Sequence, residues 1–184
     1  MFTHLHVHSH YSLLDGLSKI PKILDKCQKD GQTAVALPDH GVLYGAIEFY
    51  KEAKARGIKP IVGMEAYYSL TSRLDKNVAR EDDTRHLILL AKNLDGYKNL
   101  LKISTIGHLE GFYYKPRIDW EVLEKHHDGL IALSACLGGE IPKLLQAGNY
   151  DRAKQRATEF QNLFGQGNYY LEIQHHPTLK EQQT

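Results

Sequence analysis

Short apolar runs recur along this chain with amphipathic stretches between them, and that alternation limits the folds open to it. Residues 33–37, 58–64, 86–91 and 129–134 are too short for typical helices and rich in aliphatic side chains, as buried strands are, and 169–174 reads as a last strand. Between them apolar residues return at helical spacing. Ile20, Ile23, Leu24 and Cys27 precede Gly31, with Ser18 placed to cap that helix. Ala46, Phe49, Tyr50 and Ala53 share one face of a helix predicted over 44–56 and ended by Gly57. Asp95-Gly96 opens a helix through Tyr97, Leu100, Leu101 and Ser104. Asp119 caps another at Trp120–His126, and two more are predicted at Glu140–Gln146 and Tyr150–Phe164. Strands alternating with helices imply βαβ units and an α/β fold built on a parallel sheet, open or closed into a barrel. The 184 residues suffice for one domain with a real core. Residues 70–85 are polar without period and read as a surface loop, and 111–117 as an aromatic, basic loop.

The first ten residues hold four of the eleven histidines, in the run His4-Leu5-His6-Val7-His8-Ser9-His10. Read as a strand, this run puts His4, His6 and His8 on one face and Leu5 and Val7 on the other. Imidazoles two residues apart, about 7 Å along the backbone, can lean onto one divalent cation. The plainer alternative is a surface strand of solvated histidines.

Chemistry-bearing side chains gather where the predicted strands end. His6 and His8 lie on the first strand with Asp15 in the loop after it. Asp39 and His40 follow the second, Glu65 the third, and Cys136 a later one. In parallel α/β folds the C-terminal strand ends face the active site. His86 opens its strand, so it fits this logic less well. The set His6, His8, Asp15, His40, Glu65, His86 and Cys136 exceeds what one tetrahedral ion needs, which implies two or more ions and the two-metal chemistry of phosphoryl transfer. Imidazoles suit zinc, iron or manganese, carboxylates can bridge, and a thiolate favours zinc. Each residue alone has a blander reading: His40 in a turn, Glu65 at a solvated strand end, His86 in the core, Cys136 buried and inert. Asp39 is a cap or orients its neighbours from behind, and His10 stands behind the ligands or on the surface. His126-His127 closes a helix, where cations suit the dipole, and His175-His176-Pro177 reads as loop.

A formal net charge of +1 gives no global nucleic-acid footprint, although bound metal can supply local positive charge. Two cysteines, Cys27 and Cys136, argue against a disulfide scaffold and for a reducing cytoplasm. No apolar run is long enough to cross a membrane, so no membrane partner is expected.

His6-Val7-His8, Asp39-His40-Gly41, Gly63-Met64-Glu65, His86 and Ser134-Ala-Cys136-Leu-Gly-Gly-Glu140 together resemble the polymerase and histidinol phosphatase (PHP) family. Tyr11-Ser-Leu-Leu-Asp-Gly16, Gly57-Ile-Lys-Pro-Ile-Val-Gly63 and Gly111-Phe-Tyr-Tyr-Lys-Pro-Arg-Ile-Asp119 extend the likeness to the N-terminal PHP domains of bacterial replicative DNA polymerases, over essentially the whole chain. The resemblance implies a distorted (β/α)7 barrel holding up to three divalent ions, zinc first, with manganese or magnesium as alternatives. It implies that His6, His8, Asp15, His40, Glu65, His86 and Cys136 are the ligands. The activity it implies is metal-dependent phosphoester hydrolysis, as a 3'→5' exonuclease proofreading a DNA 3' end or primer-template within a replicase holoenzyme. His8, Asp15 and Glu65 are expected closest to the chemistry, Asp15 or Glu65 as the bridging carboxylate. Lys115 and Arg117, on the aromatic loop, are read as contacts to the DNA backbone, the plainer alternative being a solvated basic loop. Two other roles belong to the same likeness: a metal-stabilised scaffold that binds a proofreading subunit, and a pyrophosphatase or phosphatase. Members of that family carry an Asp-x-His pair near the domain's end, and none follows residue 151 here. The expectation is therefore a piece of a much longer polymerase subunit whose barrel lacks its last elements. Pro38 stands where threonine is usual.

Overall fold

The protein was analysed as a computed structural model that describes residues 2–13, 15–77 and 84–174. In chain order the elements are α1 (Ile20–Lys29), β1 (Ala34–His40), α2 (Ala46–Ala55), β2 (Lys59–Ser69), β3 (Thr84–Ala91), α3 (Leu94–Leu109), β4 (Phe112–Tyr113), β5 (Lys115–Ile118), α4 (Trp120–His126), β6 (Leu130–Leu133), α5 (Glu140–Gln146), α6 (Tyr150–Phe164) and β7 (Tyr169–Tyr170). The mixed α/β class read from the sequence holds.

β2 is the spine of the sheet. β1 runs parallel to its first part, and β5 runs parallel to it at Tyr67 and Tyr68. β3 lies antiparallel on its other edge, β6 antiparallel to β3, and β7 parallel to β6. The expected all-parallel sheet is thus corrected to a mixed one.

Side chains alternate between two faces. On β2, Val62, Met64, Ala66 and Tyr68 point outward to the helices. Met64, Ala66 and Tyr68 share a core with α3, α4 and α6, and Val62 packs with α1 and α2. Ile61 points inward and meets Ala36, Ile88, Leu90 and Leu133 in a small inner cluster. Glu65 and Tyr67 continue that inner face beyond the cluster. Helices cover the outside only, and the sheet wraps so that the segment after β7 meets the N-terminal segment through Glu172 and His6.

Several local expectations are corrected. The histidine run forms no strand: one backbone bond, from Ala36 N–H to His4 O at 2.8 Å, ties it to β1. Ser18 does not cap α1. Lys19 occupies that position, and the Ser18 carbonyl accepts from His10 N–H at 2.9 Å. Part of the 111–117 loop folds as the β4–β5 hairpin, turned at Tyr114 with φ of 60°. The predicted strand at 33–37 continues through Pro38 to His40. Ala36 N–H, Pro38 C=O and His40 N–H all face the N-terminal segment. The N–H that proline lacks would point there rather than into the β1–β2 ladder, so Pro38 is tolerated. Of the 70–85 loop, 84–85 belong to β3 and 78–83 lie outside the described residues, as does the loop reading of 175–177. No helix among the described residues is long and apolar enough to cross a membrane.

Candidate metal centre

Glu65 stands in the interior of β2, not at its end, and its side chain is fully buried. Its neighbours across the sheet explain what surrounds it. His40 is its register partner on β1. His86, opposite Tyr67 on β3, lies on the same inner face. Because β3 is antiparallel, its first residues reach the same end of the sheet as the last residues of β1. That reversal is why His86 joins the site although it opens its strand.

Four imidazoles ring the Glu65 carboxylate. Oε1 lies 3.4 Å from His6 Nε2 and 3.0 Å from His86 Nδ1. Oε2 lies 3.4 Å from His8 Nε2 and 2.5 Å from His40 Nδ1. None of these approaches has good hydrogen-bond geometry, so both oxygens and His40 Nδ1 are buried without a proper partner among the described residues. Asp15, mostly exposed, closes the outer side against His40 Nε2. Three donor sets follow, each compact enough for one ion: His6, His8 and Glu65; His8, Asp15 and His40; His40, Glu65 and His86. Glu65 serves two of them, which makes it the better placed of the two carboxylates to bridge.

The outer ring nitrogens decide what the inner ones can do. His6 Nδ1 lies 2.7 Å from Glu172 Oε1, and His8 Nδ1 lies 2.9 Å from the Pro38 carbonyl. Each bond requires the proton on Nδ1, which leaves Nε2 of the neutral ring as an acceptor. The two Nε2 atoms then face each other at 3.1 Å. Beside a carboxylate these nitrogens need positive charge among them, which a proton on His6 supplies in the metal-free site and a divalent ion supplies in its place. Ligands about 2.0–2.1 Å from a tetrahedral zinc are about 3.4 Å apart, close to the 3.4 Å from His6 and His8 Nε2 to the Glu65 oxygens and the 3.1 Å between the two rings. The residues therefore fit a divalent ion.

The same charges shift the ionisations. Burial opposes the charge on Glu65, but His40, His6 and His86 hold its carboxyl far below the usual carboxylate range. Burial also opposes charge on His6, yet Glu172 and Glu65 push it up to about 10. His86 is desolvated too, and Cys136 and Glu65 push it up to about 9. His8 is lowered, chiefly by burial.

Cys136 is placed beside His86, not inside any of the three donor sets. Its Sγ lies 3.7 Å from His86 Nδ1 and accepts from Gly138 N–H at 3.4 Å. Burial raises the thiol's pKa, but His86 and the Gly138 N–H bring it down overall. The turn that delivers it holds Ala135 at φ of 62°, a left-handed conformation costly for alanine. Cys27, by contrast, is a packed core residue.

Asp39 lies behind the cluster, next to His40 on β1. Its buried carboxylate accepts from Ser9 N–H and Ser9 Oγ, each at 2.7 Å, and from Ser12 Oγ at 2.6 Å. Ser12 Oγ in turn accepts from His40 N–H at 3.1 Å. The turn between His8 and Asp15 is thereby fixed to β1. His10 packs on Tyr11 away from the donor sets, and exposed His4 packs on Phe2, so His4 does not align with His6 and His8.

Arg117 is corrected. It is fully buried, and its guanidinium donates to the carbonyls of Gly111, Arg73 and Asp75 at 3.2, 2.9 and 2.6 Å. It pins the loop after β2 and is not presented to a ligand. Lys115 is placed differently: its ammonium lies 4.3 Å above the Tyr67 ring, whose centroid is 5.6 Å from that of His86 and 6.0 Å from that of His40. Tyr67, Glu172 and Gln174 escaped the sequence reading. The only signal was Glu172-x-Gln174, a polar alternation that mirrors His6-x-His8.

A wrapped α/β sheet carrying this histidine and carboxylate cluster defines a class: the chain belongs to the PHP domain family, whose model matches residues 4–176. Within that class its similarity points to replicative polymerases. The chain is 55% identical, over 95% of its length, to DNA polymerase III subunit alpha of Borreliella burgdorferi, and 47% identical, over 94%, to that of Aquifex aeolicus. It spans 15% of the length of each of these relatives. Among solved structures, an amidohydrolase from Chromobacterium violaceum aligns with a TM-score of 0.39 at 25% identity, covering 55% of this chain and 32% of that one.

Proposed function

We propose that this chain is the PHP domain of a DNA polymerase III alpha subunit and a metal-dependent phosphodiesterase that removes nucleotides from a DNA 3' end. The observation that carries the reading is the facing pair of His6 and His8 Nε2 atoms, 3.1 Å apart, beside the buried Glu65 carboxylate. When bound, divalent ions supply a water of lowered pKa and neutralise charge on phosphate oxygens. Zinc suits this imidazole-rich set best, with manganese or magnesium as alternatives. The chain's own residues do the rest. Glu65 joins two donor sets and holds their spacing. His8 and His40 each serve two sets, and Asp15 closes the set that faces solvent, where a substrate phosphate arrives. Cys136 completes the ligand set on the His86 side. Lys115, over Tyr67, supplies a cation to the DNA backbone at the rim. Template-primer DNA and other subunits of the polymerase III holoenzyme are the partners this reading implies.

The test compares wild-type protein with Glu65→Gln on a 5'-labelled single-stranded DNA, after chelation and readdition of zinc or manganese. Stepwise 3' shortening by wild type and its loss in the variant are expected. Equal activity in both overturns the mechanism. Metal binding that raises the melting temperature without any hydrolysis favours the scaffold role, and preferential turnover of pyrophosphate favours the phosphatase.

A further inference from the structure

The carboxylate of Glu172 is spent on a metal-site histidine far away in sequence. It lies two residues beyond β7, is 12% exposed, and its Oε1 accepts from His6 Nδ1 at 2.7 Å. Gln174 Nε2 donates to the same oxygen at 2.7 Å and lies 3.1 Å from His6 Nδ1. The backbone holds the carboxylate in place. Glu172 N–H donates to Ser134 Oγ at 2.8 Å, and Ser134 N–H donates to Tyr170 O at 3.0 Å, so the segment is tied to the end of β6.

An imidazole without a fixed outer partner can carry its proton on either nitrogen and can turn its ring. A carboxylate on Nδ1–H removes both freedoms and makes Nε2 more basic. We propose that Glu172 is the positioning residue of the metal centre: it locks His6 with its Nε2 lone pair toward Glu65, and Gln174 holds Glu172 in that pose. It makes the segment after β7 part of the metal site without lending it a ligand. The proposal rests on the metal-centre reading above.

The test uses the whole chain, freed of metal by chelator and titrated with Zn2+ and then Co2+. Wild type, Glu172→Ala and Glu172→Gln are compared by affinity, by the cobalt absorption spectrum and by the nitrogen NMR signals of His6 in the zinc-loaded form. Glu172→Ala is expected to weaken metal binding about 10–100-fold, the usual effect of losing such a partner, and to abolish the single Nδ1–H tautomer of His6. Glu172→Gln keeps an acceptor oxygen and is expected to fall between the two, with its melting temperature confirming that it folds. Wild-type affinity and an unchanged His6 tautomer in both variants overturn the proposal alone. Failure of the wild type itself to bind either metal overturns the metal-centre reading, and the proposal with it.

Discussion

His40 and Glu65 are partners across the parallel strands β1 and β2, and His40 Nδ1 lies 2.5 Å from Glu65 Oε2. The contact makes the site a property of the sheet. Register between adjacent strands sets one cluster residue beside another, and β3 brings His86 in from the opposite direction. Loops then add Asp15 and Cys136 around a frame that the core has already fixed.

Asp39 ties one such loop to the frame, and removing it has two readable effects. Asp39→Ala leaves the amide and hydroxyl of Ser9 and the hydroxyl of Ser12 without their buried acceptor. A stability loss of about 2–4 kcal/mol is expected in denaturant melts, from three buried bonds of which all involve a charge. Elemental analysis of the folded fraction is expected to show less metal per chain, since the turn between His8 and Asp15 loses its anchor.

Arg117 and Lys115 are two residues apart and are expected to behave oppositely. Arg117→Met leaves carbonyl oxygens beneath the loop unpaired and is expected to cost about 2–3 kcal/mol in denaturant melts. Lys115→Ala is expected to leave stability unchanged. In fluorescence anisotropy it should weaken single-stranded DNA binding, with the salt slope reduced by about one.

Proton and metal compete for the same nitrogens, which fixes the direction of the pH dependence. His6 and His86 have folded pKa values of about 10 and about 9 in the metal-free site, above the ordinary 6.5. Their contribution to stability is complete below pH 6.5 and is lost as pH rises through about 9 to 10. Metal-free protein is therefore expected to melt at a lower temperature at pH 10 than at pH 7. Metal uptake must expel these protons, so affinity is expected to rise with pH over the same window. Calorimetry in buffers of different ionisation enthalpy measures the protons released.

The sequence pattern carried most of the element types, the histidine run excepted, and most members of the candidate cluster, because both depend on local spacing. His6 and His8 alternate, and His40 and Glu65 follow apolar runs that bury themselves. Strand direction is different. The apolar run 86–91 looks the same read parallel or antiparallel, and only pairing with β2 and β6 decides it. Arg117 was misplaced for a related reason. A basic residue among aromatics reads as exposed until Arg73, Asp75 and Gly111 are folded over it. Beyond the Glu172-x-Gln174 alternation nothing local marks Glu172, since its partner lies 166 residues away.

The most direct measurement is a crystal structure of zinc-soaked protein with anomalous scattering recorded at the zinc edge. A strong peak among His6 Nε2, His8 Nε2 and the Glu65 carboxylate is the expected result. Fully ordered side chains at Glu65 with no anomalous density beside them, in crystals whose zinc sits elsewhere on the molecule, would contradict it.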